Sequence, residues 1–164
     1  MAAFRAELQK ARRRHDLLFC LLIPLLMLLW VGGLRPASPE ELANGYSALF
    51  YSLPIINTIL LPVLAAVLAS RLWDMEVKGC TTKLLYTLQS RRSLFAAKAL
   101  FGFGQLVFIT ALELVLAAVL GRVHGYTEAF PFGQMCYLAV CTLAVLTMLY
   151  FAEFLLMLRW ENPL

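Results

Sequence analysis

Charge is scarce in this sequence. Only 15% of the 164 residues are Asp, Glu, Lys or Arg, against roughly one-quarter in soluble domains. A soluble chain this short would need far more polar surface to cover itself. Histidine and cysteine are few, with two His and four Cys. Cys20, Cys136 and Cys141 fall inside apolar stretches and Cys80 lies between two of them. None forms a C-x-x-C pair and no ligand-spaced His accompanies them, so a zinc site is not expected and small buried hydrophobes is the plain reading. The chain also lacks a G-x-x-x-x-G-K-[ST] loop, an H-E-x-x-H pair and a G-x-S-x-G elbow. It lacks an arginine ladder and a selectivity-filter sequence. ATP binding through a P-loop, metalloprotease or serine-hydrolase chemistry, voltage sensing and selective ion conduction each lose their usual residues. No enzyme, metal or cofactor is expected.

What is abundant is apolar length. Hydrophobic residues make up 62% of the chain, and they gather in four runs over residues 17–33, 46–70, 99–120 and 132–158. Each is near the ~20 residues that a helix needs to cross a hydrocarbon core of ~30 Å. In lipid each backbone amide needs a partner in its own segment, which makes such runs helices. Barrel strands would be shorter and would alternate apolar with polar. The expected fold is therefore all-α: residues 1–164 form a single transmembrane domain, a polytopic bundle of four membrane helices. A cleaved signal peptide competes for the first run, but that run is long for a signal core.

Positive charge orients the bundle. Arg5, Lys10, Arg12, Arg13 and Arg14 precede the first run. Arg71, Lys78, Lys83, Arg91, Arg92 and Lys98 lie between the second and third, and Arg159 follows the fourth. Alternating spans put these twelve on one side and leave Arg35 and Arg122 on the other. The positive-inside rule then places both termini in the cytoplasm of a multi-pass cell-membrane protein. The net charge of +4 reflects topology, with no nucleic-acid partner expected.

Residues 1–15 read as an interfacial amphipathic helix, with Phe4, Leu8 and Ala11 on one face, or as a plain basic tail near anionic lipid. The outer loops are short; His124 reads as a solvated loop residue. Residues 71–98 are too long for a bare turn. Gly79 breaks them, residues 81–88 can form a short helix along the membrane surface, and Ser90 can cap the helix leading into the third span. This surface suits a soluble partner; a solvated connector is the alternative.

Ionisable groups within spans are costly and are functional candidates. Glu153 lies near the inner end of the fourth span, where it can reach the interface or meet Lys98. Glu113 lies about 14 residues from the inner end of the third span, roughly 21 Å up, and Asn57 in the second span lies about 13 residues, roughly 20 Å, up. A hydrogen bond between these level groups, with Glu113 protonated, would hide both from lipid. Structural glue and the lining of a substrate path are both open. Pro24, Pro54 and Pro62 interrupt their helices' hydrogen bonds and tend to kink them. Ala65-x-x-x-Ala69 and Ala117-x-x-x-Gly121 could allow close helix contact.

After the second span come Glu76, Gly79, Thr82-Lys83-Leu84-Leu85, Ser90-Arg91 and Lys98. In these residues the stretch 76–98 resembles the segment after the second span in type 2 ABC transporter permeases. It departs from the usual pattern at Cys80, between Gly79 and the threonines, and at Gln89, where proline is common. The branch closest in character is that of lantibiotic or bacitracin immunity and drug export, hence antibiotic resistance. The resemblance implies that residues 1–15 form an interface helix and that Glu76, Gly79, Thr81, Thr82, Lys83, Leu84, Leu85, Ser90 and Arg91 form the loop that couples the chain to a separate ATPase subunit. It implies a second permease chain, and a path moved between two packings by ATP hydrolysis on the partner, carrying an amphipathic peptide, a drug or a lipid-like molecule. Family members usually have six spans, so the last two would be missing here. A non-transporting four-helix scaffold or regulatory subunit, and an intramembrane enzyme, are the competing readings.

Overall fold

The computed structural model describes residues 8–9, 15–33, 38–78 and 91–160. Residues 8–9 are helical, and from residue 16 on the helices are α1 (Asp16–Gly32), α2 (Pro39–Ala43), α3 (Gly45–Lys78), α4 (Arg91–His124) and α5 (Phe132–Trp160). No strand occurs among the described residues. Three helices are long and apolar enough to cross a membrane, over Gly45–Leu72, Arg92–His124 and Phe132–Met157. The fourth apolar helix, α1, has 17 residues, about 25 Å at 1.5 Å per residue.

The helices outrun their apolar runs. The stretch 71–78, expected in a loop, continues α3 without a break to Lys78. Arg, Leu, Trp, Asp, Met, Glu, Val and Lys all tolerate helix; no breaker intervenes before Gly79. Likewise α4 extends through Arg122 to His124, so His124 closes a helix. Its Nδ1 lies 3.4 Å from the Tyr126 hydroxyl. Gly125 then takes φ 73, a left-handed turn that suits glycine. Its N–H donates to the Arg122 carbonyl at 3.2 Å, and the Tyr126 N–H donates to the Gly121 carbonyl at 2.9 Å, the pairing that closes many helix ends. At the other boundary, His15 takes φ 56 and separates α1 from the chain before it. Of residues 1–15, only 8–9 and 15 are described. Residues 79–90, with Gly79, Thr81, Thr82, Lys83, Leu84, Leu85 and Ser90, lie outside the described residues, as does Cys80.

Helix α3 packs against α1, α4 and, most extensively, α5; α4 also packs against α1 and α5. Two apolar clusters fill the interior. One, toward the basic end where Arg71, Arg92, Lys98 and Arg159 gather, holds Leu64, Leu68, Leu72, Phe101, Leu106 and Tyr150 among others. The second, toward the far end, holds Val31, Tyr46, Leu49, Leu53, Ala117, Leu120 and Met135. Small residues admit close contact: Ala65 and Ala69 are fully buried, and the Tyr46 ring lies on Gly121, with its hydroxyl donating to the Ala118 carbonyl at 3.4 Å. Lipid supplies no hydrophobic drive between helices, so such packing carries their association. Cys20 is buried, whereas Cys141, expected to be buried, is exposed on α5.

Helix α1 runs alongside the whole bundle. Near its start the Phe19 ring lies 4.5 Å from the Arg71 guanidinium at the basic end. Near its finish Val31 joins the far cluster and Gly32 approaches Leu120.

At the basic end Lys98 is fully buried. Its Nζ donates to the Leu72 carbonyl at 2.6 Å, tying the start of α4 to α3, and the Tyr150 hydroxyl of α5 donates to the Lys98 carbonyl at 3.3 Å. Glu153 sits partly buried on α5. Replacing Lys98 by methionine keeps most of the volume but removes this charged hydrogen bond between α4 and α3, at a cost of about 1.5–3 kcal/mol. The expected result is a lower melting temperature in detergent by scanning fluorimetry; an unchanged melting temperature would show that the contact holds nothing.

Candidate functional site: a polar layer and an adjoining cleft

The two apolar clusters meet at a seam of polar side chains. On α3, Asn57 stands one turn from Leu53 of the far cluster and one turn from Leu61 of the basic cluster. On α4, Glu113 stands four residues from Ile109 on one side and Ala117 on the other. Asn57 Nδ2 donates to Glu113 Oε1 at 2.7 Å. The helical rise that makes these residues level from the basic end accounts for the meeting. Asn57 is 6% exposed, so the bond takes its amide N–H out of an apolar interior. Its Oδ1 is buried without a hydrogen-bond partner.

Threonines extend the layer. Thr110 Oγ1 donates back to the Leu106 carbonyl at 3.0 Å, and Thr142 of α5 borders a small gap that Glu113 also lines. Thr142 also borders a larger cleft of about 320 Å³ between α3 and α5. Pro54, Asn57 and Pro62 form its α3 wall, and Thr142, Val145 and Leu149 its α5 wall. Gln105 was missed from the sequence, where no ionisable residue level with it drew attention to it, as Glu113 did to Asn57. It lies within α4, and its Oε1 is buried and unpartnered.

The far end is latched. Ser38 accepts the Glu41 N–H at 3.2 Å and starts α2, with Pro39 in its first turn. The S-P-E-E order is a helix-start signature, and a helix stands here where the sequence was read as a short outer loop. The Thr127 N–H donates to the Leu42 carbonyl at 3.2 Å. Glu128 caps α3: the Ser47 N–H donates to its Oε2 at 3.1 Å and the Ser47 hydroxyl to its Oε1 at 2.8 Å. A carboxylate at a helix start satisfies orphan N–H groups and complements the dipole. Tyr46 sits edge-on to Tyr126 and Phe130, 5.2 Å and 5.1 Å between ring centres. Burial, and then the neighbouring Tyr46 phenol, push the Tyr126 hydroxyl above its ordinary pKa. Replacing Glu128 by alanine is expected to cost about 1 kcal/mol of local stability, as for other lost caps. Hydrogen exchange at the Ser47 amide should speed up about fivefold, while exchange at the basic end of α3 stays unchanged.

Among the described residues no group of His, Cys, Asp and Glu could hold a metal ion. Taken together, buried helices, a polar seam in mid-bundle and a latched far end define a polytopic membrane protein built to keep polar groups inside a helical bundle. The chain belongs to the ABC-2 family of transporter proteins, whose model matches residues 3–161. Membership makes it a permease component of an ABC transporter, the membrane-spanning part, which in this family is generally not the catalytic one. No curated protein and no solved structure matches the chain.

Proposed function

We propose that this chain is the membrane subunit of an ABC exporter that moves an amphipathic peptide, drug or lipid-like molecule by alternating access, driven by a separate ATPase subunit. The observation that carries the reading is the family match over nearly the whole chain. On this reading all four apolar helices cross the membrane. Helix α1 is short, but Phe19 meets Arg71 at one end and Gly32 meets Leu120 at the other, and a short span is accommodated by local thinning of the bilayer at modest cost. The basic end faces the cytoplasm together with both termini.

Helices α3 and α4 end and begin at that face, at Lys78 and Arg91. Residues 79–90 therefore connect them there, and with Glu76 and Arg91 they form the surface on which the ATPase docks. Because Lys98 bonds to the Leu72 carbonyl, a push on this connection moves α3 and α4 together. A second copy or a related permease chain completes the transport path, and the two packings of the helices differ in which side that path opens to. The lantibiotic-immunity branch is the proposed setting, with export as the direction.

The test is a pull-down from detergent extract, with tagged chain carrying residues 81–88 intact or scrambled. An ATPase subunit is expected to co-purify with the intact chain and to be lost on scrambling. An ATPase held equally by both forms would move the docking surface elsewhere; none with either would overturn the permease reading.

A further inference from the structure

The cleft between α3 and α5 lies midway along the bundle, against the polar seam, and opens at the bundle's surface beside Val145. Its volume, about 320 Å³, is at the lower end of the range for small-molecule sites, ~300–1,000 Å³. Its walls are mostly apolar and carry no charged side chain. On the α3 wall the polar atoms left without a partner are acceptors. Asn57 is part of the wall, its Nδ2 is committed to Glu113, and its buried Oδ1 has no partner. Pro62 has no N–H to give the carbonyl of Thr58, four residues earlier. The Thr58 hydroxyl is already spent on the Pro54 carbonyl at 2.7 Å. A cavity of this kind favours a ligand that supplies a donor.

Charge narrows the class further. An ammonium could donate, but carrying one to mid-membrane is costly, and no carboxylate lines this cleft to repay it. An anion is as costly at that depth, and no cationic side chain lines the cleft to repay it. An acyl chain or an ether fills the volume and leaves the Asn57 oxygen stranded, which keeps its full burial penalty. A hydroxyl or amide on an apolar body satisfies both requirements. Asn57 already lines the cleft, so a molecule seated there lies beside its amide.

We propose that this α3–α5 cleft is a binding site for neutral amphiphiles that carry a hydroxyl or amide donor, held by donation to Asn57 Oδ1 with the apolar body along Val145 and Leu149. The proposal rests on the permease reading in taking such molecules as cargo, and names their class. Binding is measured on the chain alone, without ATPase or transport, so a failure here is distinguishable from a failure of that reading.

The experiment is photolabelling of the full chain in phosphatidylcholine nanodiscs with two matched probes, a diazirine-bearing dodecanol and its methyl ether. Adducts are located by tandem mass spectrometry. The alcohol is expected to label residues 54–62 and 141–149 about fivefold more than the ether, the factor that one hydrogen bond of ordinary net strength supplies. Asn57→Leu should bring the two probes level. Because that variant also disturbs Glu113, Val145→Phe serves as the second test: it fills the mouth of the cleft without touching the seam and should suppress labelling by the alcohol. Equal labelling by alcohol and ether in the wild-type chain would overturn the proposal and make the cleft a groove for membrane lipid. Labelling confined to other helices, or unaffected by Val145→Phe, would overturn it as well.

Discussion

Leucine at Gly102 is expected to prevent the bundle from assembling. Gly102 faces α5, where a Cβ on it would run into the hydroxyl and ring of Tyr150. That ring has nowhere to go. Tyr150 is fully buried, its hydroxyl is held on the Lys98 carbonyl, and it stacks on Phe154 with 5.9 Å between centres. Extra methylenes in a close-packed interior cost about 1–3 kcal/mol when neighbours can shift. Here the obstruction begins at the first carbon, so Gly102→Ala should itself cost that much and Gly102→Leu considerably more. Fluorescence-detected size exclusion should show a monodisperse peak for wild type, a peak with a lowered melting temperature for alanine, and aggregate for leucine. Adding Tyr150→Phe, which removes the nearest obstructing atom, should restore part of the alanine loss. A monodisperse leucine variant with wild-type melting would contradict the packing described.

The second large effect is expected at the polar seam. Glu113→Leu strands the Asn57 amide between two apolar clusters, at a cost of about 1–3 kcal/mol. Glu113→Gln keeps an acceptor for Asn57 Nδ2 and should cost less than about 1 kcal/mol by the same reasoning. The double variant Asn57→Leu with Glu113→Leu removes both partners and should recover much of the loss, since a buried group is harmful chiefly when unpaired. The cycle is read by denaturant unfolding in mixed micelles. Losses that simply add would mean that the two residues act independently despite their 2.7 Å contact. Transport supplies a second readout. A Glu113→Gln chain that assembles normally but no longer exports would give the carboxyl a chemical role beyond holding α3 to α4.

Much of this was legible from run lengths. Four apolar helices follow from the requirement that backbone polar groups pair within lipid, and counting from the charged ends placed Asn57 level with Glu113. Errors came where hydropathy was taken for helicity. Residues 71–78 carry charge and still continue α3, because a helix that leaves the membrane needs no apolar side chains to keep its backbone bonds. The same holds for Arg122 and His124. The cap on α3 was hidden because Glu128 and Ser47 are far apart in sequence, and only the return of the chain after α4 brings them together. The contact of Gly102 with Tyr150 and the α3–α5 cleft depend on how two helices face each other. Weak amphipathicity leaves that rotation unmarked when every face is apolar.

The most direct test uses the chain's own Cys80, which falls in the segment proposed to meet the ATPase. In a variant with Cys20, Cys136 and Cys141 replaced by alanine, a membrane-impermeant maleimide is applied to right-side-out and to inside-out vesicles, with and without the ATPase subunit. The permease account predicts labelling in inside-out vesicles only, slowed when the ATPase is bound. Labelling from the outer face, or an unchanged rate in the presence of a bound ATPase, would contradict it.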